Sequence, residues 1–374
     1  MQDGPSPSIV RSIVGRRLEA QLISSSPFTR PVDVVRRLGA VQAQDYLGSL
    51  WAIGLRLSRG SEGDVERAIA ERTIVRTWPM RGTLHFVAAD DARWMIEHLA
   101  RRGAAAAASR LRAMGIDDAV LSRARRALVA ELEGGRRLVR DAAYRVLERA
   151  RIATMGDRGL QILWSLAHEG LVCLGAREGK QHTIVLLDEW LAPARRLGRD
   201  EALGELAARY FTGHGPATAR DFAWWSGLSL TDARWAIGAA GALLTEENIA
   251  GETYWCGRAT HPEAPRRSGA HALPAFDEFF VGYKDRFAAV DPAHAAALDA
   301  FDLLGPCILV DGRLAATWKR RLSAATVTCS TKLLAPLRAE KLASLRRALD
   351  RYARFLGRDV VVEAAEPRRR RRRR

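Results

Sequence analysis

Cysteine is scarce in this sequence. The four present (Cys173, Cys256, Cys307, Cys329) are widely scattered, with no C-x-x-C pair and no Cys/His spacing suited to a metal. That excludes a disulfide scaffold or a zinc module and leaves four reduced packing residues, as expected in a reducing compartment. No apolar run approaches the length of a membrane span. The start, MQDGPSPS, has neither a basic opening nor an apolar core, so no signal peptide is expected. Common enzyme signatures are missing as well: G-x-x-x-x-G-K-S/T, H-E-x-x-H and G-x-S-x-G do not occur. The eight histidines are dispersed and form no ligand set, so neither metal nor cofactor is expected. What remains is a soluble, cytoplasmic protein whose chemistry cannot rest on a zinc ion, a phosphate loop or a nucleophile elbow.

Positive charge, by contrast, is plentiful. Lys and Arg number 59 against 43 acidic residues, a formal net charge of +16. The terminal run Arg368 to Arg374 supplies seven of those charges, and the rest of the chain still carries +9. Such a balance favours a polyanion partner. The 374 residues, 48% hydrophobic, suffice for about two to four domains or subdomains.

Along the chain, helical and extended patterns alternate. Helices are expected over Ile9–Ile23, from Pro31 to Leu38 with Gly39 as C-terminal cap, over Tyr46–Leu57 and over Glu62–Arg72. "IVRTWPMRGTLHFVA" reads as a hairpin punctuated at Pro79–Gly82, and Asp90 is a candidate cap for the helix that follows. The plan of helices followed by a hairpin recurs. Val139–Arg149 and Gly156–Glu169 precede "LVCLGAREGKQHTIVLL". "PATARDFAWWSGLSLTDARWAI" has the shape of a helix-turn-helix, capped at Ser229, and precedes "ALLTEENIAGETYWC". After a Pro/Gly-rich linker, Thr260–His271, come the hairpin "CILVDGRLAATWKR" turning at Asp311-Gly312, the strand "ATVTCSTKL", an amphipathic helix over Arg338–Phe355 and the closing strand "DVVVEA".

The expected class is therefore mainly α with β-hairpins (α+β): three tandem winged-helix motifs plus a C-terminal β-rich, barrel-like domain. The corresponding segments are 1–100, 101–196, 197–270 and 271–366, with a disordered polyarginine tail at 367–374.

Candidate site residues fall into three groups. Cations at expected wing tips and helix flanks (Arg76, Arg81, Arg110, Arg112, Arg177, Lys180) suit phosphate contacts, or else a solvated face. Trp224, Trp225 and Trp235 form either a base-stacking platform or part of a core; the apolar neighbours Ala223 and Ile237 favour the core. "FDEFFVGYKDR" gathers Asp277, Glu278, Lys284, Asp285 and Arg286 around aromatics. Those carboxylates could orient a water or an arginine, or form a structural ion-pair cluster. The last feature is "AVQAQDY". Gln42 and Gln44 share a side only on extended backbone, because residues i and i+2 diverge on a helix. Glutamine does not titrate, so a catalytic role here means positioning a partner, and the bland alternative is a pair satisfying a helix junction.

Taken in order, "VQAQDY", "RTWPMRGTLHFV", "LPAFDEFFVGYKDR" and "VDGRLAATWKR" resemble the winged-helix DNA glycosylases of the azinomycin-resistance type (AlkZ-like), over nearly the whole span from Ile9 to Val362. The resemblance implies a concave basic surface for duplex DNA bearing alkylated guanine. It also implies hydrolysis of the N-glycosidic bond of cationic N7-alkylguanine, including bulky natural-product adducts and interstrand crosslinks, for repair and self-resistance. It maps the catalytic Q-x-Q pair onto Gln42 and Gln44. Asp45, Asp277 and Asp285 become candidates for orienting water or the site. Lys284, Arg286, Arg313 and Lys319 join the DNA-contacting set. A hairpin that inserts toward DNA is placed at Cys307 to Lys319, with Arg313 near its tip. A monomer acting on the bacterial nucleoid, without an obligate protein partner, is expected. The polyarginine tail is not explained by the resemblance. Two other readings stay open: a non-catalytic winged-helix transcriptional regulator, and a protein that sequesters the free alkylating compound.

Overall fold

The structure is a computed structural model and describes residues 6–191, 195–258, 269–295, 298, 303–363 and 366–367. The arginine tail and residues 260–268 of the expected linker lie outside that set. Among the described residues no helix is long and apolar enough to cross a membrane, and all four cysteines are free and buried.

The first segment holds α1 (Pro7–Ala20), α2 (Pro31–Leu38), the two-residue strand β1 (Val41–Gln42), α3 (Tyr46–Gly54), α4 (Glu62–Ala70) and the hairpin β2 (Ile74–Met80)–β3 (Thr83–Ala88). Local chemistry explains most of its boundaries. Pro31 opens α2, where no amide donor is needed, and Gly39 ends it at φ +78°. Ser61 and Asp64 close a reciprocal capping box on α4. Arg81 and Gly82, both at positive φ, turn the hairpin. The helix α5 (Ala89–Ala113) is capped by Ala88 rather than by Asp90. Asp90 lies inside the first turn, where it favours the helix dipole and pairs with Arg36.

The second segment adds α6 (Asp118–Leu132), β4 (Leu138–Val139), α7 (Arg140–Arg149), α8 (Arg158–His168), β5 (Val172–Glu178), β6 (Gln181–Leu186) and the short α9 (Leu187–Trp190). Its hairpin does not stand apart as a second wing. β2 and β5 pair at Arg76↔Leu174, so two hairpins and two short strands merge into one sheet, ordered β1-β3-β2-β5-β6-β4. Pairing removes two exposed hairpin edges that would otherwise invite association.

The third segment is α10 (Arg199–His214), α11 (Ala219–Ser226), α12 (Leu230–Ala240) and the hairpin β7 (Leu244–Ile249)–β8 (Glu252–Gly257). Thr218 caps α11, Gly227 ends it in the left-handed conformation, and Ser229 Oγ accepts from Asp232 N to start α12. This is the expected helix-turn-helix, with a hairpin turning at Ala250-Gly251.

In the last segment, β9 (Ala270–Leu273), β10 (Cys307–Val310), β11 (Arg313–Leu322), β12 (Thr326–Leu333) and β13 (Asp359–Val362) form a second sheet ordered β13-β12-β11-β10-β9, with β14 (Glu366–Pro367) also on β12. Short helices α13 (Glu278–Val281) and α14 (Pro292–Ala295) lie between β9 and β10, and α15 (Ala339–Leu356) precedes β13. This segment does not enclose a core of its own. One apolar cluster unites Ile13, Leu50 and Trp51 with Leu309, Trp318, Tyr352 and Phe355. The contact is tight: a Cβ built on Gly54 would stand 2.2 Å from the Phe355 ring. The two ends of the chain thus form one packed body, with the Gln42 strand beside their junction.

Candidate active site

The backbone around Gln42 is extended, as the Q-x-Q spacing requires. Gln42 stands opposite His85 across the β1–β3 pair. The pairing continues one residue further, where Ala43 N donates to Leu84 O at 2.7 Å. Gln44 then replaces the next ladder bond with its side chain: Leu84 N donates to Gln44 Oε1 at 3.0 Å. Between the glutamines, the buried Arg76 guanidinium donates twice to Ala43 O. Gln42 is almost wholly buried, whereas Gln44 is exposed.

Three groups surround Gln42: Glu278, Arg81 and, across the strand pair, His85. Its backbone N donates to Glu278 Oε1 at 2.7 Å. Its Oε1 accepts from Arg81 Nη2 at 3.2 Å. Arginine can only donate, so this contact decides which end of the amide faces it. Arg81 Nη2 also meets His85 Nε2 at 3.1 Å, while His85 Nδ1 lies 2.9 Å from Thr83 O. His85 therefore donates through Nδ1 and accepts through Nε2. Burial, with Arg81 adding to it, lowers the His85 pKa to about 3, so the ring is neutral at physiological pH. Glu278 is fully buried, and its other oxygen accepts from Trp225 Nε1 at 2.8 Å and lies 3.5 Å from His214 Nε2. Burial raises the Glu278 pKa, but His214 and the Gln42 backbone N–H outweigh it and hold the carboxyl below its ordinary value. Burial likewise lowers the Arg81 pKa; the Glu278 charge opposes this and Arg286 adds to it. The result is a neutral side-chain amide whose oxygen faces the Arg81 guanidinium, on a backbone held by the buried Glu278 carboxylate; Trp225 donates to that carboxylate and His85 Nε2 accepts from Arg81. Each glutamine oxygen keeps a second lone pair for an external donor such as water.

Glu278 is the partner that reading the sequence did not single out from its neighbours. Its signal was only adjacency to Asp277. Consecutive residues at a helix start point in different directions, and here they part. Asp277 caps α13 and takes a bidentate pair from the buried Arg56, both contacts at 2.8 Å. It holds structure and does not reach the glutamines. Asp45 caps α3 by position and pairs with Arg320 of β11 at 3.1 Å. Its carboxylate occupies the space where a Cβ on Gly48 would sit. Asp285 is exposed, and its backbone N donates to Asp221.

The expected DNA-contacting cations divide into two sets. Arg110, Arg112, Lys180, Lys284 and Lys319 are exposed. Arg76 is buried, with its pKa lowered to about 10 by burial, and besides Ala43 it meets His182 Nε2 at 2.8 Å. Arg177 pairs with Glu66 and lies over the Tyr46 ring. Arg286 is half-buried, and Arg313 pairs with Asp291 at 3.2 Å. These long side chains do structural work because their aliphatic stems bury well and their heads find acceptors nearby.

The hairpin at Cys307 to Lys319 forms and turns at Asp311-Gly312 as expected, but its tip is docked rather than displayed. A Cβ on Gly312 would stand 2.0 Å from Val14 Cγ1, and Asp311 pairs with Lys341. A helix covers the tip because Gly312 lacks a side chain. The next hairpin, β11–β12, is the one that reaches Asp45 through Arg320, and it carries the exposed Lys319 and Arg321. The tryptophans also divide. Trp225 is core, while Trp224 is 46% exposed and Trp235 is 56% exposed, contrary to the apolar cluster expected of them.

Comparison with known proteins identifies the family of the chain. The family model described as "DNA glycosylase AlkZ-like" matches residues 35–355. The chain is 27% identical over 335 residues to an interstrand DNA cross-link repair glycosylase of Streptomyces sahachiroi, covering 83% of this chain and 87% of that protein. The fold is that of the Streptomyces sahachiroi DNA glycosylase AlkZ, with a TM-score of 0.76 at 23% identity over 96% of this chain and 100% of the other. A family match over most of the chain decides between enzyme and regulator: the chain belongs to the AlkZ-like family and is a DNA glycosylase.

Proposed function

We propose that the protein is a monofunctional glycosylase that hydrolyses the N-glycosidic bond of cationic N7-alkylguanine in duplex DNA, bulky adducts and interstrand crosslinks included, with Gln42 and Gln44 positioning the water. The observation that carries this reading is the pair of neutral side-chain amides held at and just beyond the short strand β1, Gln42 Oε1 by Arg81 with its backbone on Glu278, and Gln44 Oε1 by Leu84 N.

The chemistry follows from charge. Alkylation at N7 leaves guanine cationic. When the C1′–N9 bond breaks, its electron pair goes to the base, which departs neutral and needs no protonation. Water then bonds to C1′ and loses its proton to solvent. The remaining demands are a placed water and stabilisation of an oxocarbenium-like sugar. An amide oxygen meets both by accepting from the water and presenting partial negative charge. It would serve poorly for an uncharged base, so selectivity for cationic lesions is built into the residue choice. Interstrand cross-link repair, for which the Streptomyces sahachiroi relative is named, supports the bulky end of the substrate range. The exposed cations described above would position the duplex by its phosphates without reading its sequence. Action as a monomer on the bacterial nucleoid completes the reading.

The test is release of modified base, with abasic-site formation, on a panel of N7-guanine adducts from methyl to intercalating and crosslinked. The parent protein is expected to act on several. Gln42→Ala and Gln44→Ala are each expected to lose at least about a hundredfold in single-turnover rate, the scale of removing one oriented polar group from a reaction centre. Undiminished release by both variants would overturn the assigned roles.

A further inference from the structure

Trp224 is left with nearly half its surface in water, directly beside Trp225, which is fully buried and reaches Glu278. A single exposed apolar side chain on its own means little. Three further observations give this one a place. The Arg286 guanidinium lies over the Trp224 ring, 5.7 Å from its centre, and is itself anchored through Nε to Phe280 O at 2.7 Å. Trp224 lies in the last turn of α11, and Gly227 follows as its left-handed C-terminal cap. At that end, a Cβ on Gly227 would stand 3.0 Å from Arg81 Cγ, and Arg81 in turn holds Gln42 Oε1. An exposed aromatic ring, backed by a fixed cation, therefore stands at the rim of the Gln42 site.

We propose that Trp224, with Arg286 behind it, is a stacking subsite for an unstacked nucleobase of the DNA substrate next to the reaction centre. Every base has a π-face, so an indole ring receives one without regard to sequence. The Arg286 and Lys284 charges complement the phosphates that flank such a base. Duplex opened at a lesion exposes an unstacked partner or neighbour, and an aromatic ring at the rim captures it at no conformational cost to the protein. The occupant is a nucleobase rather than a protein surface because the exposed ring has the Arg286 guanidinium against it and is next in the chain to Trp225, which holds Glu278 of the Gln42 site. The assignment rests on Gln42 marking the reaction centre.

The experiment uses full-length protein and lesion duplexes carrying 2-aminopurine opposite or beside the modified guanine. Trp224→Ala, Trp224→Phe, Trp235→Ala and Gln42→Ala are compared with the parent. Trp224→Ala is expected to weaken duplex binding by about tenfold and to abolish the 2-aminopurine change seen with the parent, while its thermal midpoint stays put. Trp224→Phe is expected to restore both. Trp235→Ala, whose indole on the same helix-turn-helix is tied to Asp200, is expected to match the parent. Gln42→Ala is expected to keep the 2-aminopurine change while losing base release. An unchanged signal in Trp224→Ala, or an equal loss in Trp235→Ala, overturns the proposal. Base release by Gln42→Ala would instead overturn the assignment of the reaction centre and leave the stacking result to be read from fluorescence alone.

Discussion

Glu278 shows how much a single buried carboxylate organises the surroundings of Gln42. It fixes the Gln42 backbone, receives the Trp225 indole and offsets the charge of Arg81. Replacing it with glutamine keeps the shape but turns an amide NH2 toward one of its donors and leaves Arg81 uncompensated. Hydrogen bonds to charged groups contribute about 1.5–3 kcal/mol, so Glu278→Gln is expected to slow base release on N7-methylguanine duplex by about ten- to a hundredfold. Because Glu278 acts through Gln42, the loss is expected in single-turnover kcat with DNA affinity held within about twofold, unlike the affinity loss expected of Trp224→Ala. Equal rates for parent and variant would leave Glu278 as core filling only. In the sequence, the Q-x-Q pair was visible because two glutamines one residue apart need only the extended backbone that Gly39 and β1 supply. Glu278 was not, because its partnership spans 236 residues of chain and no local rule separates it from Asp277.

Among the elements, boundaries set by local chemistry came out as the sequence suggested. Pro31 and Gly39 delimit α2, Gly227 and Ser229 delimit the turn of the helix-turn-helix, and Asp311-Gly312 turns β10 into β11. What these elements do next depended on neighbours. The β10–β11 tip packs on α1, and the first two hairpins share one sheet. Gly312 carries two constraints at once, a φ of +78° and the Val14 contact. Gly312→Val adds strain from both, expected to cost about 2–4 kcal/mol. A lower urea midpoint would register that loss. A midpoint equal to the parent's would mean that the tip swings free of α1.

At the scale of the whole molecule, the buried His85 and the half-buried His182 and His271 spread acid sensitivity across the fold. Burial is the largest cause lowering His85 to about 3, His182 to about 4 and His271 to about 4. In the unfolded chain each returns to about 6.5. Between those values the unfolded state binds protons that the folded state does not, so stability falls as pH falls below about 6.5 and this contribution is flat above it. For the fully buried His85 the slope is about 1.4 kcal/mol per pH unit. Urea midpoints measured from pH 7.5 to 5 are expected to drop steadily below pH 6.5, and a constant midpoint over that range would contradict the neutral assignments.

Alone, the amino-acid sequence determined what local forces can specify: helix caps, hairpin turns, a basic reduced chain, and a glutamine pair on extended backbone. Only the tertiary structure decided which cations stay in water, that the terminal segments share one core, and that Glu278 rather than Asp277 holds Gln42. Those outcomes turn on burial and on contacts between distant residues, where desolvation and close packing outweigh any preference carried by a short stretch of chain.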